Sequence, residues 1–251
     1  MSTIKRIPIS DFVKDLKAAE ARHDGYIMGA RGQDPKKWAI NSWWYEQYAN
    51  ANQHKKALYW RENAQRVWDC NGLAEGIYED HTGVNINTKA RFNYAQWCDV
   101  KGEGAIPAKY RVPGAAVFMH SASKGYITHV GYLVEPIKAD DPAGDWWVIE
   151  ARGVMYGVVK TRLSEHGWNR WGLMQKYFDY GDMPEKEPKN IKITGESVNV
   201  RVDPGTGGRV LGVAHKGDML EYGGEDSAGG WHKVNYKGKI GWVSGKYSEV
   251  G

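Results

Sequence analysis

The pattern of the sequence changes at residues 179–189. This polar stretch carries Pro184 and Pro188, whose fixed φ and missing N–H interrupt helices and strands alike, so it reads as a linker. Before it, apolar residues recur at helical spacing and in longer strand-like runs. After it, short alternating runs are separated by turn signals. A chain divided in this way folds as two units. The expected boundaries are residues 1–180, a linker at 181–190, and residues 191–251. With 251 residues, 41% hydrophobic and 25% charged, the chain suffices for one domain of ordinary size plus a small module.

The first unit opens with an amphipathic helix over Ser10–His23. Phe12, Val13 and Leu16 face inward, Ser10 serves as cap, and Gly25 lies just past the end. Further on comes Asp69-Cys70-Asn71-Gly72-Leu73, with Leu73 and Ile77 on one face of a second helix. A cysteine in the first turn of a helix meets unpaired N–H groups and the positive end of the dipole, which favour a thiolate nucleophile. Downstream, Thr128–Val134 reads as a buried strand carrying His129. Trp146–Ala151 reads as another, with Glu150 near its end. Nucleophile, base and orienting carboxylate then follow in the order Cys70, His129, Glu150, the logic of a cysteine hydrolase triad. Each residue has a plainer reading. Cys70 fits a buried structural thiol, His129 a core histidine, and Glu150 a surface partner of Arg152 or Lys160. Tyr26 fits a packing aromatic and Asp69 a helix cap.

Four segments together resemble the NlpC-type cell-wall cysteine peptidases. Asp69-Cys70-Asn71-Gly72-Leu73 is similar to their Asp-Cys-Ser-Gly-Leu nucleophile motif, and His129-Val130-Gly131 to their His-Val-Gly base motif. Gly25-Tyr26-Ile27-Met28-Gly29 resembles their Tyr-x-x-Gly element. Val112-Pro113-Gly114-Ala115-Ala116-Val117-Phe118 resembles their Pro-Gly-Asp-Leu-Val-Phe strand entry. The segments stand in family order. The resemblance implies an α+β, papain-like domain with N-terminal helices on an antiparallel sheet, acting on peptidoglycan stem peptide. The bond most often cut in the family joins D-glutamate to a diamino acid. It also implies that the Tyr26 hydroxyl helps position the scissile carbonyl and that Asp69 faces the substrate's amine side. The chain departs from the family in three places. Glu150 stands where a third histidine is usual, Asn71 stands for serine, and Tyr26 and Cys70 are unusually far apart. The intervening insert is rich in aromatics, among them Trp38, Trp43, Trp44, Tyr45, Tyr48, Tyr59 and Trp60, and is read as one or two helices beside the groove. The set Cys70, His129, Glu150 also suits the related cysteine amidases, which cut between muramic acid and L-alanine. A domain that binds the wall without activity is a third reading.

After the linker, Ser197-Val198-Asn199-Val200-Arg201 alternates with period two, and Asp203-Pro204-Gly205 and Lys216-Gly217-Asp218 mark turns. Trp231–Tyr236 and Ile240–Val243 flank Lys237-Gly238-Lys239 as a tight hairpin. About five short strands in this length argue a small β-barrel. These residues resemble a bacterial SH3-like domain, which implies binding to cell-wall peptide or glycan. Trp231, Tyr236 and Tyr247 are candidates to line that site, while Trp242 is assigned to the barrel core.

The remaining features set limits. A net charge of +4 is spread along the chain without a Lys/Arg block, so no nucleic-acid partner is expected. No long apolar run suggests membrane insertion. Two cysteines make no disulfide framework, and Cys98 lies on an apolar helix face as a core residue. Cys70, Cys98, His120 and His129 match no standard zinc spacing, so neither metal nor cofactor is called for. A monomer is expected. The N-terminus shows no secretory h-region, and the order of domains resembles a phage endolysin of a Gram-positive host. The expectation is therefore synthesis in the host cytoplasm, with action on the wall after release.

Overall fold

The computed structural model describes residues 4–181 and 190–250, and the linker at 181–190 falls almost entirely outside them. The described residues form two compact units, one on each side of that stretch. The first mixes helices and sheets; the second is all β.

In the first unit, helix α1 (Ile9–Ala21) buries Phe12, Val13, Leu16 and Ala19 on one face. Its cap is Pro8 rather than Ser10, and no side chain bonds the first turn. Proline at that position fixes φ and lacks an N–H of its own, so the chain enters the helix two residues before the serine. Helix α2 (Ala51–Asn63) belongs to the aromatic insert and starts where the Asn50 side chain accepts from the N–H groups of Asn52 and Gln53. Helix α3 (Gly72–Thr82) follows the cysteine motif and stops at Gly83, whose φ of 72° suits glycine.

Helices α1 and α3 pack on a six-stranded antiparallel sheet built from β1 (Val100–Glu103), β2 (Ala116–Ser121), β3 (Tyr126–Pro136), β4 (Trp146–Ala151), β5 (Val158–Arg162) and β6 (Arg170–Leu173), in the order β1-β6-β2-β3-β4-β5. Both faces are covered. Val130, Tyr132 and Val134 join Phe12, Leu16, Leu73 and Ile77 in one cluster, where Phe12 meets Tyr132 edge-on at 5.2 Å. Leu133 and Val148 point the other way, into a cluster with Trp146, Trp168 and Trp171. Alternation along β3 therefore separates a helix-facing set from a tryptophan-facing set.

A second, three-stranded sheet does the positioning. Gly25–Tyr26 pairs in parallel with Val67–Trp68, which pairs on its other edge with Arg31–Gln33. The chain leaves this pairing directly into Asp69 and Cys70. The insert folds as a short helical turn at Trp43–Glu46 followed by α2. Most of its aromatics make a core of their own around Tyr45, Tyr48 and Trp60, with Trp38 stacked on Trp44 at 4.0 Å.

The second unit is an antiparallel sheet of seven strands, two more than the sequence pattern suggests. They are β7 (Asn190–Ile193), β8 (Ser197–Arg201), β9 (Val210–His215), β10 (Met219–Asp226), β11 (Trp231–Tyr236), β12 (Lys239–Ser244) and β13 (Ser248–Val250), in the order β9-β8-β12-β11-β10-β7-β13. The core is aliphatic: Ile191, Ile193, Val198, Val200, Ala214, Leu220, Val234 and Val243. Trp242 is not part of it. Trp242 pairs across strands with Lys233, whose ammonium lies 5.7 Å from its ring.

Helix α3 lies so close to the small sheet that a Cβ at Gly76 would overlap the Arg31 carbonyl and crowd the Trp68 ring. Alanine normally gains up to about 1 kcal/mol over glycine inside a helix. Here overlap with backbone that cannot move aside outweighs that gain. Gly76→Ala is expected to lower stability by about 1–3 kcal/mol, the usual cost of overpacking, as read by denaturant unfolding of the whole chain.

Candidate active site

Cys70 sits in the turn that leads into α3. The N–H of Leu73 already bonds the Asp69 carbonyl at 3.1 Å, so the cysteine lies within the first helical turn. Asp69 takes the capping role with its side chain. One oxygen accepts from the Gly72 N–H at 2.5 Å and the other from the Gly29 N–H at 2.9 Å. Its own N–H bonds the Ala30 carbonyl at 2.7 Å. The same carboxylate thus closes the helix end and ties it to the loop after Tyr26. Burial pushes the Asp69 carboxyl above its usual range against these bonds. Asn71, buried on the other side of the turn, donates to Glu75 at 3.0 Å and accepts from Asn93 at 2.9 Å.

The thiol itself is not the preformed thiolate that the helix end suggests. Burial raises Cys70 well above the usual thiol range, and the neighbouring Asp69 charge adds to the effect. The backbone N–H groups of Val130, Asn71 and Cys70 pull the other way without offsetting it. Desolvation outweighs the dipole, and the resting form is a thiol. That the Val130 N–H acts on the sulfur sets the thiol beside the residue following His129. The Tyr132 hydroxyl steadies the Cys70 carbonyl from the sheet at 3.3 Å.

His129 lies opposite Met119 at a break in register between Met119 and His120, an irregularity that re-aims side chains on a strand. Its Nε2 is 2.6 Å from Glu150 Oε2. A nitrogen facing a carboxylate carries the proton, so Nδ1 is left as the lone-pair nitrogen. Glu150 is only 1% exposed and does not pair with Arg152 or Lys160; Lys160 bonds Glu135 instead. Its other oxygen accepts from Thr161 Oγ1 at 2.7 Å and lies 3.0 Å from His166 Nε2. Burial pushes the Glu150 carboxyl up, but the bonds and charge from His129, with Thr161 and His166, win and hold it below the usual carboxylate range. Trp168 stacks on the His129 ring at 5.6 Å and 16°. Gly131 makes this possible, because a Cβ there would press on Trp168 and Val148.

Cys70 opens on a cleft of about 540 Å³. Tyr26, Gly29, Asp69, Asn71 and Glu75 line it near the thiol. Trp43 and Met28 reach it from the insert side, residues 87–90 from the segment after α3, Lys124 from the turn between β2 and β3, and Tyr126, Ile127 and Thr128 from the start of β3. The Tyr26 hydroxyl makes no hydrogen bond among the described residues. Burial and the nearby Cys70 and Asp69 keep its phenol protonated. Trp43 is 61% exposed, unlike Tyr45, Tyr48 and Trp60 of the same insert. Glu75 holds the far side of the cleft by accepting from the Thr88 N–H and hydroxyl. Among the described residues no cluster of three or more His, Cys, Asp or Glu suits a metal ion, and the direct His129–Glu150 contact leaves no room for one between them.

Thr161, His166 and Trp168 were not legible as site residues. The last two come from a loop without periodicity, and only the tertiary fold brings them to Glu150. In the second unit, regular pairing along β11 puts Trp231 and Tyr236 on opposite faces. Tyr236 packs against the core and donates to the Val213 carbonyl at 3.1 Å, so it does not share a surface with Trp231. Tyr247 is exposed in the turn before β13.

Residues 196–249 match the model of the bacterial SH3 domain, so the second unit carries one. No curated protein matches the chain. Among solved structures, the chain is similar to the crystal structure of Ly7917, at 13% identity with 97% of this chain and 98% of that chain covered, and a TM-score of 0.34. It is also similar to the crystal structure of Ly7917 with the hydrolyzing product of MDP, at 12% identity, 96% and 97% coverage, and a TM-score of 0.33. Scores this low do not establish a shared fold. No helix among the described residues is long and apolar enough to cross a membrane.

The depressed Glu150 carboxyl fixes a sign. Its contribution to stability is fully present above the unfolded value of about 4.3 and is lost as pH falls through the lower folded value. The stability difference between wild type and Glu150→Gln should therefore be largest near neutral pH and shrink below about pH 4. Denaturant unfolding across that range checks it. Asp69 and Glu75 act in the opposite sense but cancel in the difference.

Proposed function

We propose that the first unit is a papain-like, NlpC-type cysteine peptidase that hydrolyses peptidoglycan stem peptide, and that the bacterial SH3 domain holds it on the wall. The observation that carries this reading is the buried Glu150 bonded to His129 Nε2, on a strand whose next residue, Val130, turns its N–H to a thiol that opens on a cleft. As the sulfur attacks an amide carbonyl, His129 Nδ1 takes its proton, and the new C–S bond puts negative charge on the carbonyl oxygen. The Cys70 N–H and the Tyr26 hydroxyl stabilise that oxygen. Collapse breaks the C–N bond, and the leaving nitrogen takes the proton from His129. Water then gives a proton to His129 and attacks the thioester, releasing the acid and restoring the thiol. Glu150 stabilises the imidazolium throughout. Because the resting thiol is protonated, the sulfur gains charge only while attack proceeds, which protects it from unproductive chemistry.

The bond assigned is the one between D-glutamate and a diamino acid. The carboxylate at position 150, where the family usually has histidine, favours the related amidase as the second reading. On this proposal the protein acts as a monomer at the wall, reached from the cytoplasm after release.

Digestion of Gram-positive peptidoglycan with wild type and Cys70→Ala, read by mass spectrometry, tests both readings. Fragments ending at D-glutamate, absent with the variant, are expected. Free lactyl ends would make the enzyme an amidase, and release by Cys70→Ala would refute the mechanism. For the wall-binding module, full-length Cys70→Ala should sediment with purified walls, and adding Trp231→Ala should cut the bound fraction severalfold at unchanged melting temperature. Tyr236→Ala should instead lower the melting temperature.

A further inference from the structure

The loop after β5 places a second histidine on the orienting carboxylate. His166 Nε2 lies 3.0 Å from Glu150 Oε1, the oxygen that also accepts from Thr161, while Oε2 is taken by His129. The Nε2 atom is buried and has no well-aligned acceptor among the described residues. Facing a carboxylate in a site of low polarity, it carries a proton, since two opposed lone pairs would repel. Trp168 binds the arrangement together, stacked on His129 and edge-on to His166 at 5.5 Å.

We propose that His166 is a positioning residue of the hydrolase: it holds Glu150 from the side opposite His129, so that Oε2 stays aimed at His129 Nε2. The inference rests on the reading of Cys70, His129 and Glu150 as the catalytic set. Without His166, Oε1 keeps only the Thr161 hydroxyl, a single rotatable donor. The carboxylate can then rock, and the imidazolium that must form during attack loses part of its stabilisation. Among the described residues, the other side chains that act on Glu150 are His129 and Thr161. His166 also lines a separate cavity of about 330 Å³, whose charged members are already engaged. Arg111 donates to the carbonyls of Ile106, Ala143 and Gly144, and Asp145 accepts from Ser164 and the Trp146 N–H. Glu165, next in sequence, pairs with Arg162 at 3.9 Å.

Two variants separate positioning from bulk packing. His166→Leu fills the space without a donor. His166→Gln returns an N–H near the position of Nε2. In the full-length protein, the rate of Cys70 alkylation by iodoacetamide is followed against pH by mass spectrometry, with buried Cys98 as internal control. Wall hydrolysis and melting temperature are measured alongside. In His166→Leu the rate of alkylation should fall, and the acid limb of its profile, set by protonation of the base, should move to lower pH because the imidazolium is less stabilised. The turnover rate should fall roughly tenfold, part of the 10²–10⁴ that acid–base catalysis supplies, at an unchanged half-saturating wall concentration. His166→Gln should recover most of both. A wild-type profile in His166→Leu overturns the proposal. So does equal impairment of both variants with lowered melting temperatures, which would make the role structural. If wild type releases nothing from walls while the alkylation profile still shifts and recovers, the hydrolase reading fails and the positioning role stands.

Discussion

A carboxylate taken out of water must find partners or give up its charge, and Glu150 shows what that demands of the surrounding fold. Its charge is retained because both oxygens are occupied, Oε2 by His129 and Oε1 by Thr161 and His166. Truncating one member of such a buried pair typically costs about 3–5 kcal/mol, because the other is left uncompensated. The neighbourhood is accordingly built to keep the pair intact. Gly131 has no side chain so that Trp168 can lie against β3. Trp168 covers the His129 ring, and β5 runs beside β4 in the register that brings Thr161 within reach.

The thiol half of the site depends on a different device. Three short strands fix the Tyr26 loop to the segment entering α3, and Asp69 then bonds across to Gly29 and back to Gly72. The two motifs that the sequence separates by a long insert are thus neighbours through backbone pairing. The length of the insert has no effect on that pairing because it folds outward around its own core of Tyr45, Tyr48 and Trp60. Trp43 is left exposed at the cleft.

What could be read in advance follows the range of the forces involved. Local signals located α1, α3, the histidine and glutamate strands, the turns and the division into two units. They erred where a local signal competes with a longer-range one. Ser10 is a good cap by residue type, but Pro8 ends the extended chain first. A helix N-terminus favours a thiolate, yet burial and the neighbouring Asp69 charge push the Cys70 thiol the other way. His166 and Trp168 carry no periodic signature, so no reading of spacing finds them. Tyr236 is different. Strand alternation alone separates it from Trp231, and the information was present in the hairpin's even spacing. Trp242 fails for a related reason. Small barrels with aliphatic cores leave little room for indoles, and the inward positions of β11 and β12 already belong to Val234 and Val243.

The Cys70 thiol, in the turn before α3, and the Glu150 carboxylate, on β4, stand under opposite influences. Burial dominates at Cys70, where the partners are backbone N–H groups and a like-signed carboxylate. Partners dominate at Glu150, where three side chains converge. On the proposed mechanism, loss of the proton from sulfur is opposed by burial and by the neighbouring Asp69 charge. A substrate carbonyl that accepts the sulfur's electron pair as the proton leaves removes the opposition, since no free thiolate has to exist in the buried turn. On the proposed mechanism this couples proton transfer to bond formation. It also assigns different work to the two halves of the site: the small sheet and Asp69 set where the sulfur is, and the Glu150 cluster sets how readily its proton is received.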